Sequence, residues 1–207
     1  MKTHGQMIYV VDDDVSMGRA LSLLLEAHGF KVAAFTRAKD FLDFHHPRIS
    51  SCLVLDVQLP DINGLALQEA MMARQLSIPI VFITGHGDIP MSVKAMKEGA
   101  IDFLTKPFTD NELLDAIQRA IVKNKVQNKS QAQIAKIQRR IKTLSPRELE
   151  VFRLVANGML SKQIAFKWGK ALQTIKIQRG RVMRKMQAKT VTELVHFAQK
   201  AGLISSK

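Results

Sequence analysis

The sequence predicts two domains of different class: an α/β domain built on a five-stranded, doubly wound parallel sheet, then a small all-α domain of four helices. Three observations carry this prediction. In about the first 120 residues, apolar runs of strand length alternate five times with helical segments at short loop spacing, the order that a parallel sheet covered on both faces requires. The later residues read as helices opened by capping signals and closed by glycines. Charge also changes sign along the chain: residues 1–120 hold 11 Lys+Arg and 15 Asp+Glu, and residues 121–207 hold 20 and 3, a balance of −4 against +17 within the net +13. An acidic half joined to a basic half implies two different partners, the second of them polyanionic.

Met7 to Val11 is an apolar strand followed at once by Asp12-Asp13-Asp14. Leu21, Leu23, Leu24, Leu25 and Ala27 give a helical apolar face, ended by Gly29. Lys31 to Phe35 is a short strand, and Phe41 to Phe44 belongs to a short helix stopped by Pro47. Cys52 to Leu55 is continuously apolar, as a strand buried on both faces must be, and ends in Asp56; Pro60 and Asn63-Gly64 mark the loop beyond it. A helix then runs from about Gly64 to Gln75, and Ile78 to Thr84 is a buried strand opening into Gly85-His86-Gly87-Asp88. A helix around Met91 to Lys97 leads to the strand Ile101 to Leu104, which Lys106-Pro107-Phe108 closes. Asp110 is the expected N-cap of a final helix carrying Leu113, Leu114 and Ile117.

In such a sheet the strand ends converge on one edge, where ligands bind. Asp12, Asp13, Asp56, Thr84 and Lys106 are expected to gather there. Three carboxylates packed together require raised pKa values or a cation among them, and oxygen ligands of this kind suit Mg²⁺. The set fits phosphoryl transfer onto a carboxylate, with Asp56 as nucleophile, Lys106 as a fixed positive charge and Thr84 donating a hydrogen bond to the new group. His86 has no second His or Cys at ligand spacing and reads as a loop residue; Asp14 reads as a third acid without a ligand's role.

The stretch from Leu113 to Lys142 contains neither proline nor glycine and is rich in Lys, Gln and Asn, so 122–142 is expected to be a partly helical connector. Ile134, Ile137, Ile141 and Leu144 recur at helical spacing, as an amphipathic helix or a short coiled-coil seam would require. Beyond it, Ser145-Pro146-Arg147-Glu148 is a capping box with proline at the first helical position. Leu149, Phe152, Val155 and Ala156 supply that helix's buried face, and Asn157-Gly158 ends it. A second helix covers about Ser161 to Trp168. A third, about Leu172 to Met186, carries Lys176, Arg179, Arg181, Arg184 and Lys185, with Ile175, Val182 and Met186 for the interior. Thr190 to Glu193 is a capping box opening a fourth helix. Four short helices with the strongest positive charge on the third describe a helix-turn-helix module whose third helix enters a DNA major groove.

In order along the chain, Val10-Val-Asp-Asp13, Leu55-Asp56-Val-Gln-Leu-Pro-Asp-Ile-Asn-Gly64, Ile83-Thr84-Gly-His-Gly-Asp88 and Phe103-Leu-Thr-Lys106-Pro-Phe108 resemble the receiver domain of bacterial two-component response regulators, a CheY- and flavodoxin-like fold, over residues 6–121. The resemblance implies that Asp56 accepts phosphate from a sensor histidine kinase. It implies that Asp12, Asp13, Asp56 and the backbone carbonyl of Gln58 hold Mg²⁺, and that Phe103 is an aromatic switch turning inward when Thr84 closes on the phosphate.

Leu144-Ser-Pro-Arg-Glu148, Val155-Ala-Asn-Gly158, Lys162-Gln-Ile-Ala165, Thr174-Ile-Lys176, Arg179-Gly-Arg-Val-Met183 and Glu193-Leu-Val195 resemble the LuxR/NarL-type output domain that regulators of the FixJ subfamily carry, here over 143–204. Carried over by position, Lys176 and Ile177 face base edges while Lys162, Thr174 and Arg179 meet phosphates; Arg181 belongs to the same basic surface. This chain departs from that pattern at Leu160, where a Ser or Thr cap is usual, at Lys170, Ala171 and Leu172, where an apolar residue, a Ser cap and a Glu are usual, and at Gln178, where a His is frequent. The expected whole is a DNA-binding transcription regulator that phosphorylation turns into a homodimer, with RNA polymerase as a further partner.

Two other functions fit parts of the sequence. Haloacid-dehalogenase-like phosphohydrolases also use an Asp nucleophile with Mg²⁺, but they carry a second Asp two residues on, where this chain has Gln58, so no enzyme is expected. An RNA-binding regulator would use basic helices too, yet Phe152, Phe166, Trp168 and Phe197 are expected in the core rather than on a stacking platform. The single cysteine, Cys52, precludes an internal disulfide and fits a reducing compartment. With no signal-peptide pattern and no run of membrane-spanning length, a cytoplasmic location is expected.

Overall fold

The computed structural model describes residues 5–47, 49–85 and 89–204. The chain divides into two compact units, residues 1–129 and 130–207. In the first, strands β1 (Met7–Val11), β2 (Lys31–Phe35), β3 (Ser51–Asp56), β4 (Ile80–Thr84) and β5 (Asp102–Thr105) alternate with helices α1 (Val15–Ala27), α2 (Ala38–Asp43), α3 (Gly64–Ala73), α4 (Ile89–Lys97) and the opening part, to residue 129, of α5 (Asp110–Ile141). All strands are parallel, in the order β2-β1-β3-β4-β5. The winding therefore reverses between β1 and β3, the place where open α/β sheets bind ligands. Val11 pairs with Leu55, so Asp12 and Asp56 leave neighbouring strands at the same level.

The two-residue period of a strand divides each apolar run between the faces. Ile8, Val10, Cys52, Val54, Val81 and Ile83 pack with Leu21 and Leu25 of α1 and with Leu113, Ile117 and Ile121 of α5. Tyr9, Val11, Leu53, Leu55 and Phe82 pack on the other face with Phe41, Leu67, Met71 and Ala95. Leu23, expected on the buried face of α1, points to solvent, because it stands half a turn from both Leu21 and Leu25.

Helix starts in this unit are set by carboxylates and amides. Asp14 is the N-cap of α1, its Oδ1 accepting from Ser16 N at 2.8 Å and Met17 N at 3.2 Å. At α2 the N-cap Arg37 offers no side-chain acceptor. Asp61 replaces it from another loop, accepting from Ala38 N at 3.2 Å and Lys39 N at 3.0 Å. Burial raises the pKa of Asp61, but these backbone donors outweigh burial and the net shift is downward.

The segment 122–142 differs from expectation: it is helical as far as Ile141, within the continuous helix α5. Its apolar-poor middle is held by amides. Asn124, buried at the foot of the sheet, accepts from Ser51 N at 3.0 Å and donates to Ser77 O at 3.0 Å, while Asn128 donates to Ile49 O at 3.1 Å. Asn124→Ala strands the Ser51 N–H and the Ser77 carbonyl. It should lower the unfolding free energy of this unit by about 2 kcal/mol, read from urea midpoints at unchanged slope.

In the second unit, Ile137 of α5, with Ile141 and Leu144 beside it, joins the core formed by α6 (Pro146–Ala156), α7 (Ser161–Trp168), α8 (Leu172–Met186) and α9 (Val191–Lys200). The spacing of Ile137, Ile141 and Leu144 is thus packing inside the unit rather than a coiled-coil seam. Among the described residues no helix is long and apolar enough to cross a membrane.

Candidate functional site

At the carboxyl edge of the sheet, β1 delivers Asp12 and Asp13, β3 delivers Asp56, β4 delivers Thr84 and the end of β5 delivers Lys106. Asp12, Asp56 and Thr84 are buried and Asp13 is exposed. Lys106 Nζ donates to Asp12 Oδ2 at 2.8 Å and to Asp56 Oδ2 at 2.6 Å. The remaining carboxylate oxygens are taken by backbone donors, Asp14 N to Asp12 Oδ1 and Gln58 N to Asp56 Oδ1, each at 2.9 Å. Burial pushes the Asp12 pKa up against the opposing pull of Lys106. Burial also works to lower the pKa of Lys106, but its bonds to the two aspartates prevail and the net shift is upward, so the ammonium keeps its charge.

Asp12, Asp13 and Asp56 each offer an oxygen, all within 4.8 Å of one another. An all-carboxylate set with one exposed member fits a hard, partly hydrated divalent ion and contains no soft donor. Lys106 N donates to Thr84 O at 2.7 Å, which ties the end of β5 to that of β4; the Lys106–Pro107 peptide is cis. Phe103 is half-buried, its ring centroid 6.1 Å from that of Phe82 in the apolar cluster beside α3 and α4. His86, read as a loop residue, lies outside the described residues.

Gly64 is a site residue that the sequence did not reveal. A Cβ there would lie 2.6 Å from the backbone oxygen of Asp56, so α3 starts this close to the strand end only because no side chain intervenes. Asn63-Gly64 announced a turn, and nothing in the sequence announced this approach.

The second unit presents a separate candidate surface. Ile175, Val182 and Met186 of α8 are buried, leaving Thr174, Lys176, Ile177 and Arg181 on its exposed side. Lys162 is exposed on α7; Arg179 is half-buried and donates to Ser161 Oγ at 3.3 Å. Helix α6 has its capping box, and Glu148 also accepts from Lys185 Nζ of α8 at 2.6 Å. Neither α7 nor α8 has a side-chain cap: their N-caps are Leu160 and Ala171. At α7 only the return bond survives, Leu160 N to Gln163 Oε1 at 2.8 Å. Leu160→Thr and Ala171→Ser should each stabilise this unit by about 1 kcal/mol, measured as a rise in its thermal midpoint.

One expectation fails here. Phe152 is buried, and Trp168 and Phe197 pack against the core, but Phe166 is 91% exposed. It stands two residues from buried Ile164, on the opposite side of α7.

A parallel sheet of this order with an acidic, lysine-bridged pocket at its switch point, followed by a helix-turn-helix unit, defines a class. Residues 8–118 match the response regulator receiver domain and residues 142–198 match the LuxR family of bacterial regulatory proteins. The chain belongs to the two-component response regulators that carry a LuxR-type DNA-binding domain, and it is a transcriptional regulator of that family. It is similar to nodulation protein W of Bradyrhizobium diazoefficiens, 46% identical over 95% of this chain and 87% of that one. To the transcriptional regulatory protein FixJ of the same organism it is 42% identical over 99% of this chain and 100% of that one. Among solved structures, the response regulator StyR superposes with a TM-score of 0.83 at 41% identity, covering 95% of this chain and 99% of that one.

Proposed function

We propose that Asp56 is the phosphoacceptor of this regulator and that a sensor histidine kinase supplies the phosphoryl group. The observation that carries this reading is the Lys106 ammonium held between the Asp12 and Asp56 carboxylates at the switch point of the sheet. A carboxylate oxygen of Asp56 attacks phosphorus, and the P–O bond forms as the P–N bond of the kinase's phosphohistidine breaks. The electron pair of that bond stays on the imidazole nitrogen, which takes up a proton.

Lys106 offsets the negative charge that develops on the transferred oxygens, and Thr84 supplies a hydroxyl hydrogen bond to the new phosphoryl group. Asp12, Asp13, Asp56 and the Gln58 carbonyl would hold Mg²⁺, which supplies further charge neutralisation there. Movement of Thr84 toward the phosphoryl group draws Phe103 inward and remodels the face from Pro90 to Arg119. Val93 and Met96 of that face, with Ile89 of α4 just before it, are exposed at helical spacing, an apolar stripe suited to a homodimer contact.

In this reading residues 6–121 are the receiver, 122–142 the connector and 143–204 the output domain. The dimer brings two output domains to paired half-sites on double-stranded DNA in the cytoplasm, with RNA polymerase as the downstream partner. Lys176 and Ile177 read base edges, while Lys162, Thr174, Arg179 and Arg181 meet the backbone. Treatment of the full chain with an acyl phosphate and Mg²⁺, followed by peptide mass analysis, tests the first step. The phosphoryl group is expected on the peptide containing Asp56; modification elsewhere, or none, contradicts the assignment.

A further inference from the structure

Phe166 has no role in the fold. Ile164 and Ala165 of the same helix are buried and Trp168 packs against the core, whereas Phe166 stands 91% exposed on the opposite side. It is not an isolated case. Among the described residues of the second unit the exposed large apolar side chains are Leu160, Phe166, Leu172 and Ile177, and all four lie on the helix-turn-helix pair or at its caps. None lies on α6 or α9. The charge around them has one sign: no Asp or Glu occurs between Glu150 and Glu193, while Lys162 precedes Phe166 by one helical turn and Lys167 follows it directly. Apolar surface framed only by cations is complementary to a polyanion with apolar faces between its charges, which describes a nucleic-acid backbone, where phosphates alternate with sugars.

We propose that Phe166 contacts DNA, its ring packed against the deoxyribose faces of one strand beside the phosphates that Lys162 and Lys167 neutralise. The inference rests on the DNA-binding reading above and adds to it an apolar backbone contact from the first helix of the pair. In helix-turn-helix docking that helix crosses the backbone while the second occupies the major groove. The ring's contribution is burial of apolar area, so it releases no counterions and leaves the salt dependence of binding unchanged.

The test measures equilibrium binding of the full chain, over a series of salt concentrations, to the duplex it selects from a random pool. Phe166→Ala should weaken binding by about tenfold with the slope of log K against log salt unchanged. Lys162→Ala should weaken binding and also reduce that slope by about 1. Phe166→Trp should restore affinity, and unchanged circular dichroism should show that each variant folds. Parental DNA affinity in Phe166→Ala overturns the inference, and if transcription activation is then lost the ring serves a protein partner instead. A Phe166→Ala variant whose salt slope falls would make the effect electrostatic and overturn it equally. A parent that selects no duplex removes the DNA-binding reading itself, and this inference with it.

Discussion

Asp56→Asn abolishes the response of the full chain to an acyl phosphate: no phosphoryl group is gained, the dimer fraction does not rise and DNA affinity stays at its basal value. The substitution preserves the volume of the side chain and an oxygen to accept from Gln58 N, now at 2.9 Å from Asp56 Oδ1. It removes the proposed nucleophile, because the amide carries no charge and its lone pair is delocalised. The expected loss is complete within detection, read by phosphate-affinity electrophoresis and by sedimentation with and without the donor. Thermal stability serves as the control for folding. A variant that still dimerises on treatment would place the acceptor elsewhere.

Lys106→Met lowers the unfolding free energy of the first unit by about 3 kcal/mol in the absence of divalent ions. The reason is geometric. Asp12 and Asp56 share one ammonium at 2.8 and 2.6 Å, and both carboxylates are buried. Methionine fills the stem but leaves two like charges facing each other without a cation. Mg²⁺ should then stabilise the variant more than the parent, since ion binding supplies the missing charge and is linked to folding. Denaturant titrations of both proteins in chelator and in excess Mg²⁺ give the comparison. Equal stability of parent and variant in chelator would show that the ion pair is solvent-screened and does not organise the pocket.

The sheet and the residues at its edge were legible because each rests on a local signal. Continuous apolar runs such as Cys52 to Leu55 identify strands buried on both faces, and the polar residue ending each run is the one delivered to the edge. Asp12, Asp56 and Thr84 needed no more than this, whereas Lys106 stands one residue beyond Thr105, the polar end of its strand, and is marked by the proline that follows it. What escaped depends on distance in space rather than along the chain. Asp61 caps a helix 23 residues earlier in sequence. Gly64 is required by a backbone oxygen that only folding brings within 2.6 Å of its absent Cβ. Asn124 looked like connector composition because its partners, Ser51 and Ser77, lie on other elements. Asp14 carried a local signal, an acid just before an apolar helix, but its two acidic neighbours drew it into the metal question. Phe166 was misplaced for a different reason. Residue type argues for burial, while helical phase relative to Ile164 argues against it, and phase prevailed.

Phosphorylation of Asp56, as proposed, changes what the basic unit does to DNA. The most direct test is the equilibrium affinity of the full chain for its selected duplex, measured before and after acyl phosphate treatment in Mg²⁺, with the occupancy of Asp56 determined on the same sample. Binding that tightens in proportion to that occupancy is the predicted result. Full occupancy of Asp56 with unchanged affinity, or tightening of the same size in Asp56→Asn, would contradict the account.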